Sequence, residues 1–199
     1  MRRSAPLEHL MRFVGSTGES GRQPMARWRF EPGHTAAEFC VRHMMVSYVR
    51  GHFKNIQGSL EFDPEHPEHG SVEMTIRAAE LWSGEADRDA HLRGADFLDV
   101  EHHPEITFRS TGVEPTARNE YTVTGHLTIR GVTRPVKLDV RYLGLGKSPF
   151  GDTRVGFSAT TKLNRHDFGV SWNSPMKDSG VVVGDDVLIT IDAEAIQES

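Results

Sequence analysis

Residues 71–81, Ser-Val-Glu-Met-Thr-Ile-Arg-Ala-Ala-Glu-Leu, decide the fold class, because apolar and polar side chains alternate along them. Val72, Met74 and Ile76 fall on one face of an extended chain, and Glu73 falls on the other. Successive side chains of a β-strand point to opposite faces of the sheet. The segment is therefore predicted to be a strand with one dry face and one face in water.

The same two-residue period recurs over residues 28–196 and stops for any length only at residues 85–99. Short turns separate the strands, and their number, about eight, is the number at which a closed barrel just holds side chains or one small ligand. The sequence predicts an all-β fold, an antiparallel barrel of about eight strands with a short helical insertion. The predicted strand segments are 28–31, 36–43, 51–63, 71–81, 106–110, 121–130, 136–143, 154–164 and 186–196.

The helical insertion is predicted at residues 85–99, where Ala90, Gly94 and Phe97 recur at helical spacing. Ser83 is the expected N-terminal cap. A glycine inside a helix costs about 1 kcal/mol relative to alanine, so Gly94 favours two short helices over one long helix. A second break, the apolar run at residues 44–49, is consistent with one helical turn.

Composition limits the class of protein. The 199 residues fit one domain. A net charge of -5 without a basic stripe argues against nucleic-acid binding, and 37% apolar residues predict a soluble chain without a transmembrane segment. Residues 1–24 are expected to be a disordered tail or a misassigned start before Met25, with the barrel domain at 25–199. The absence of a recognisable export signal favours a cytoplasmic location.

Motifs for catalysis or metal binding are weak. Residues 144–148 imitate part of a phosphate-binding loop, but Pro149 follows where a helix should begin. The single thiol, Cys40, is expected to be a bystander on the outer face of its strand. Asp96 and Asp99 flank the helix, where carboxylates usually cap amide groups. We therefore expect no catalytic residues, no metal site and no cofactor.

Seven motifs follow one another along the chain, each at a predicted strand or turn. They are residues 28–35, 39–43, 49–53, 88–92 with 96–99, 125–136, 164–169 and 183–189. In these motifs the chain resembles the YceI family of lipocalin-like, polyisoprenoid-binding proteins. Glu31 and Thr35 replace the usual Asp and Ser of the family's first motif.

This resemblance implies a barrel that binds and sequesters or carries one long apolar lipid, such as a polyisoprenoid, an isoprenoid quinone or a fatty amide, without catalysis. The residues expected to line the cavity are Phe39, Val41, Phe53, Phe62, Met74, Ile76, Phe97, Leu98, Phe108, Leu127, Val140, Phe157 and Phe168. Two alternatives stay open: a stress-related protein whose barrel is packed solid, and an enzyme acting on a lipid-like substrate. A homodimer is a further expectation.

Carried onto this chain, the resemblance makes the helical insertion a lid over one end of the barrel. Four charged or titratable residues, His43, Arg88, His91 and Arg165, are expected at the mouth. They either meet a lipid head group or tie the helix to neighbouring strands. The structural role is favoured, since a ligand buried by its chain needs few polar anchors.

Overall fold

The computed structural model describes residues 25–175 and 181–198, so the predicted tail or misassigned start at 1–24 lies outside the described residues. Ten strands, one α-helix and four short 3₁₀ helices make up the regular structure of this part of the chain. In chain order the strands and the α-helix are β1 (Arg27–Phe30), β2 (Ala36–His43), β3 (Ser47–Phe53), β4 (Gln57–Glu61), β5 (Ser71–Arg77), α1 (Ala86–Arg93), β6 (Glu105–Ala117), β7 (Glu120–Ile129), β8 (Val132–Lys147), β9 (Thr153–Asn164) and β10 (Val183–Gln197).

All neighbouring strands pair antiparallel, and the sheet closes where β1 pairs with β10. β1 and β2 lie one after the other along β10, and β4 and β3 lie along β1 and β2 in the same way. Each of these two pairs therefore fills one place, and the ten segments form an eight-stranded closed barrel. The predicted fold class is confirmed.

The two interruptions have local causes. Pro32–His34 forms a 3₁₀ turn between β1 and β2, where proline has no N–H to give to a ladder. Asn55 has a φ of 56° between β3 and β4. β5 pairs with β4 but not with β3. Among the described residues, the outer edge of β3 is therefore held by one bridge, from His52 to Trp82.

The apolar run at 44–49 does not form the expected helical turn. The Val46 amide donates to the His43 carbonyl at 3.1 Å, and β3 begins at Ser47. Positive φ angles at Met44 and Met45, 49° and 58°, reverse the chain within three residues. The run is thus a tight hairpin turn followed directly by a strand.

The helical insertion contains one helix rather than two. Gly94 ends α1, and its amide bonds to the carbonyls of Ala90 at 3.2 Å and His91 at 3.0 Å. The chain then continues through turns to β6. The cap is Glu85 instead of Ser83, because the Glu85 carboxylate accepts the exposed amides of the first helical turn.

The buried apolar residues form four clusters, and two of these clusters mark the two ends of the barrel. At one end of the barrel, Ile76 and Leu81 pack with side chains of the lid segment, which comprises α1 and the turns up to Val100. At the other end, Trp28 is 2% exposed, and its indole N–H donates to the Phe62 carbonyl at 3.1 Å. We call these the lid end and the closed end.

Candidate functional site

A cavity of about 330 Å³ lies inside the barrel at the lid end, and apolar side chains form nearly all of its wall. This volume falls in the range of small-molecule binding sites, roughly 300–1,000 Å³. β2, β3 and β5–β10 contribute wall residues, and the lid segment covers one side. His91 lines the cavity and is also exposed, so the cavity reaches the surface beside α1.

Two glycines allow aromatic rings to lie flat on the barrel wall. A Cβ at Gly51 would stand 2.5 Å from Cζ of Phe39, and one at Gly125 would stand 2.6 Å from Cε2 of Phe108. Real Cβ contacts are not this short, so only glycine leaves room for the ring. The position of the two rings, and with it the width of the cavity, depends on these glycines.

The structure brings most of the predicted ligand-binding residues together. Ten of the thirteen line the cavity, namely Phe39, Val41, Phe53, Met74, Ile76, Phe97, Leu98, Phe108, Leu127 and Phe168. The other three, Phe62, Val140 and Phe157, line a second cavity of about 90 Å³ toward the closed end.

Met74, Leu138 and Ile191 line both cavities and therefore form the partition between them. The far cavity ends at a cluster of rings, in which Phe62 and Phe157 meet edge to face with centroids 4.9 Å apart. Burial raises the pKa of two phenols at this end, Tyr121 and Tyr142. The closed end therefore carries a cluster of aromatic rings, of which Phe62 and Tyr121 are buried.

Hydrogen bonds fix the lid segment at its start. The buried Asp89 carboxylate accepts from the Ser83 amide at 2.9 Å and from its hydroxyl at 2.5 Å. Arg93 donates to the carbonyls of Ala79 and Leu81. Asp89 and Arg93 are four residues apart, so these bonds attach one face of α1 to the chain that precedes it.

Arg130 fixes the far side of the lid segment, and the sequence analysis missed it. Its guanidinium donates to the carbonyls of Ala95 at 2.7 Å, Phe97 at 3.1 Å and Gly169 at 3.1 Å. Arg130 has a φ of 50° in the turn between β7 and β8. An arginine at a tight turn was the one available signal, since the turn itself needs no cation.

Arg165, expected at the mouth, is 6% exposed, and its hydrogen bonds to the described residues all go to backbone carbonyls, with the Asp185 carboxylate 3.9 Å away. Its acceptors are the carbonyls of Val170 at 2.7 Å, Gly184 at 2.9 Å, Trp172 at 2.9 Å and Val183 at 3.2 Å. Burial lowers the pKa of Arg165, and Asp185 opposes that shift. The guanidinium joins the segment after β9 to the start of β10.

The other mouth residues also line the cavity. Arg88 donates to the Ser83 hydroxyl at 2.7 Å and to its carbonyl at 2.6 Å. The His91 imidazole lies 2.9 Å from Asp96 and edge-on to Trp172. His43 makes no side-chain hydrogen bond within residues 25–175 and 181–198.

Trp172 is a cavity residue that the sequence reasoning missed. Its ring stacks at a tilt against Phe97, with centroids 5.3 Å apart. It follows β9 in a segment without regular structure, so no strand parity could have assigned it to the interior.

One group of side chains could hold a metal ion. The ligand atoms of Glu31, His34 and Glu194 lie within 4.8 Å of one another. Arg154 already donates to Glu194 at 2.5 Å, and the His34 nitrogen lies 2.8 Å from Glu31. Because the arginine supplies the positive charge that a cation would bring, we describe this group as an ion-pair network.

Cys40 is half-buried and does not line the cavity, in keeping with its expected position on the outer face of β2. No helix in the described ranges is long and apolar enough to cross a membrane.

Comparison with known proteins gives consistent matches. Residues 28–195 match the YceI-like domain family. Similar sequences include a UPF0312 protein of Azotobacter vinelandii, 41% identical over 140 residues that cover 70% of this chain and 73% of that protein. A UPF0312 protein of Pseudomonas savastanoi is 38% identical over 145 residues, 73% of this chain and 76% of its own.

Solved structures with a similar fold include BcnA of Burkholderia cenocepacia, with a TM-score of 0.73 and 26% identity over 83% of this chain and 98% of its own. The YCEI protein of Campylobacter jejuni has a TM-score of 0.68 and 31% identity, covering 79% of this chain and 90% of its own. A polyisoprenoid binding domain from Saccharophagus degradans has a TM-score of 0.61 over 87% of this chain and 99% of its own, and at 12% identity it shares the fold alone. Because the family match extends over most of the barrel, this chain belongs to the YceI family.

Proposed function

We propose that the protein binds one long apolar lipid, of polyisoprenoid, quinone-tail or fatty-amide type, in the barrel cavity, and so carries or sequesters it. The observation that most directly supports this proposal is the cavity of about 330 Å³ between the lid segment and the apolar faces of the strands. A solvent-accessible apolar space of this kind is costly unless something apolar fills it. The family assignment supports the same ligand class.

Burial of the chain supplies the affinity. Each methylene taken out of water contributes about 0.8 kcal/mol, so a dozen carbons contribute about 10 kcal/mol before the cost of association. The mouth needs only to accept a polar end, and His43 is the residue available for it. Since Arg88 and Arg165 donate to the chain itself, we assign them a structural role.

Binding is favoured over catalysis by the chemistry of the cavity wall. Most of its lining residues are phenylalanine and aliphatic side chains, and the buried cation among them, Arg165, donates its hydrogen bonds to backbone carbonyls. A reaction on a lipid would need an acid, base or nucleophile facing the buried part of the chain. The cavity also argues against the packed-barrel alternative.

Native mass spectrometry of the protein purified from its host tests the proposal. We expect a bound mass of several hundred daltons that organic extraction removes and that a purified isoprenoid alcohol restores. A clean apo mass under gentle conditions, together with no uptake of the isoprenoid, would contradict it. Release of a chemically changed lipid would instead identify an enzyme.

A cavity-blocking variant makes the test specific. Leu127→Trp places an indole in the cavity, and we expect it to abolish lipid retention. Leu143→Trp is the matched control, because Leu143 is 60% exposed on β8 and lines neither cavity. Equal retention by the two variants would place the bound lipid outside the barrel.

A further inference from the structure

The turn between β2 and β3 exposes an apolar surface that the fold does not use. Met44 is 39% exposed, Met45 37%, Val46 82% and Tyr48 58%. We call these four residues the hairpin tip. Scattered single apolar residues on a surface are ordinary, but four within five positions at a projecting turn are a patch.

The backbone conformation of the hairpin tip is one that methionine rarely adopts. The turn holds both central residues, Met44 and Met45, at positive φ, a geometry that usually selects asparagine and glycine. The bond from Val46 to His43 closes the turn, and Arg42 donates to the Met45 carbonyl at 2.5 Å. Two methionines thus stand where polar residues would fit the backbone better.

Two arginines flank the tip. The guanidinium carbons of Arg42 and Arg50 lie 6.0 and 5.5 Å from the centre of the Tyr48 ring. Neither forms an ion pair with a carboxylate in the parts of the chain that the structure describes. An aromatic ring between cations beside apolar side chains matches the interface of a membrane with anionic head groups.

Acidic residues near the tip are already neutralised. Asp185 and Asp186 lie in the bulge of β10 between its pairs with His43 and Val41. Asp185 lies 3.9 Å from the Arg165 guanidinium and 2.9 Å from His166, and Asp186 accepts from Lys162 at 3.0 Å. The charge presented at the tip therefore comes from the two arginines.

The tip is continuous with the cavity. Arg42, His43 and Val49 line the cavity from the same hairpin, and the Met44 amide bonds to the Val182 carbonyl at 2.8 Å. We propose that the hairpin tip docks the lid end of the barrel onto an anionic phospholipid surface. The inference rests on the proposed function, because a lipid cargo insoluble in water must pass between the cavity and a lipid phase.

Vesicle flotation with the full chain tests the docking. Vesicles of phosphatidylcholine alone are compared with vesicles that also contain phosphatidylglycerol. We expect flotation with the anionic vesicles and an at least tenfold weaker partition for Val46→Asp. Arg50→Gln should weaken partition into anionic vesicles alone, by roughly fivefold, the contribution of one cation near such a surface.

Phe150→Asp is the matched control. Phe150 is 89% exposed in the turn between β8 and β9, at the opposite end of β9 from the lid. It should float like the wild type. Loss of partition in both aspartate variants would overturn the assignment to the tip.

The proposal would be overturned if the wild-type protein did not float with anionic vesicles. It would also be overturned if sedimentation showed self-association that depends on Val46, because a second copy of the chain would then occupy the hairpin tip. Native mass spectra of the same samples separate this failure from failure of the proposed function. A bound lipid in protein that does not float leaves the carrier role intact and refutes only the docking.

Discussion

Replacing Arg165 by methionine should destabilise the barrel strongly, because this side chain is a structural cation. It is 6% exposed and donates to four backbone carbonyls. A hydrogen bond from a charged donor contributes about 1.5–3 kcal/mol to stability. Two effects reduce the loss in the variant. The methionine side chain still fills the space, and water can bond to the half-buried carbonyls of Trp172 and Val183. We therefore expect a loss of about 3–5 kcal/mol in the free energy of unfolding.

Urea unfolding followed by tryptophan fluorescence measures this loss. With a slope of about 2 kcal/mol/M, the midpoint should fall by about 2 M. Arg109→Met is the control, since Arg109 is 78% exposed in a surface pair with Glu73 and should change stability by less than about 1 kcal/mol. An Arg165→Met protein of nearly normal stability with tenfold weaker lipid binding would show that the guanidinium serves a head group, and our reasoning would be wrong.

Two further predictions concern the cavity and the lid. Gly125→Ala should displace both the Phe108 ring and the Arg109 carbonyl, which would stand 2.5 Å from the new Cβ, and so cost about 3 kcal/mol and weaken uptake of an apolar fluorescent probe. Gly112→Ala, with no atom within 4 Å of its Cβ, should leave probe titrations unchanged. The second prediction concerns His102 and Asp99. The hydrogen bond between these two side chains raises the pKa of His102 above 6.5 and lowers the pKa of Asp99 below 3.8. The charged pair therefore stabilises the fold fully between these two values, and its contribution falls as pH rises through the folded pKa of His102 or drops through that of Asp99. The difference in Tm between wild type and His102→Gln, measured by scanning calorimetry, should be largest near pH 5 and shrink toward pH 8; a difference independent of pH would contradict this.

Strand parity accounts for what the sequence could predict. A residue such as Ile76 is assigned to the interior by its neighbours alone, because a strand has only two faces. Seven of the ten expected ligand-binding residues that share the larger cavity lie on strands and do so for this reason, whereas Phe97, Leu98 and Phe168 lie outside the strands. Phe62 and Phe157 point inward as well, but parity does not report depth along the barrel, and they reach the other cavity.

Features without a period escaped prediction. The cap at Glu85 competes with Ser83 only two positions away, and side-chain hydrogen bonds decide between them. Arg130 and Trp172 act across the lid through contacts distant in sequence. The homodimer and the ligand itself stay predictions, to be tested by sedimentation and mass spectrometry.

Because β3 is held on its outer edge by the bridge from His52 to Trp82, the two ends of the barrel should differ in how easily they open. At the closed end every strand has a ladder on both sides, so opening there breaks the ring. At the lid end β3 has a ladder on one side only, and it can separate as a subglobal unit while the rest persists. Its outer-edge amides should exchange with deuterium before those of β9, so the protein has a built-in order of opening that begins where the cavity lies.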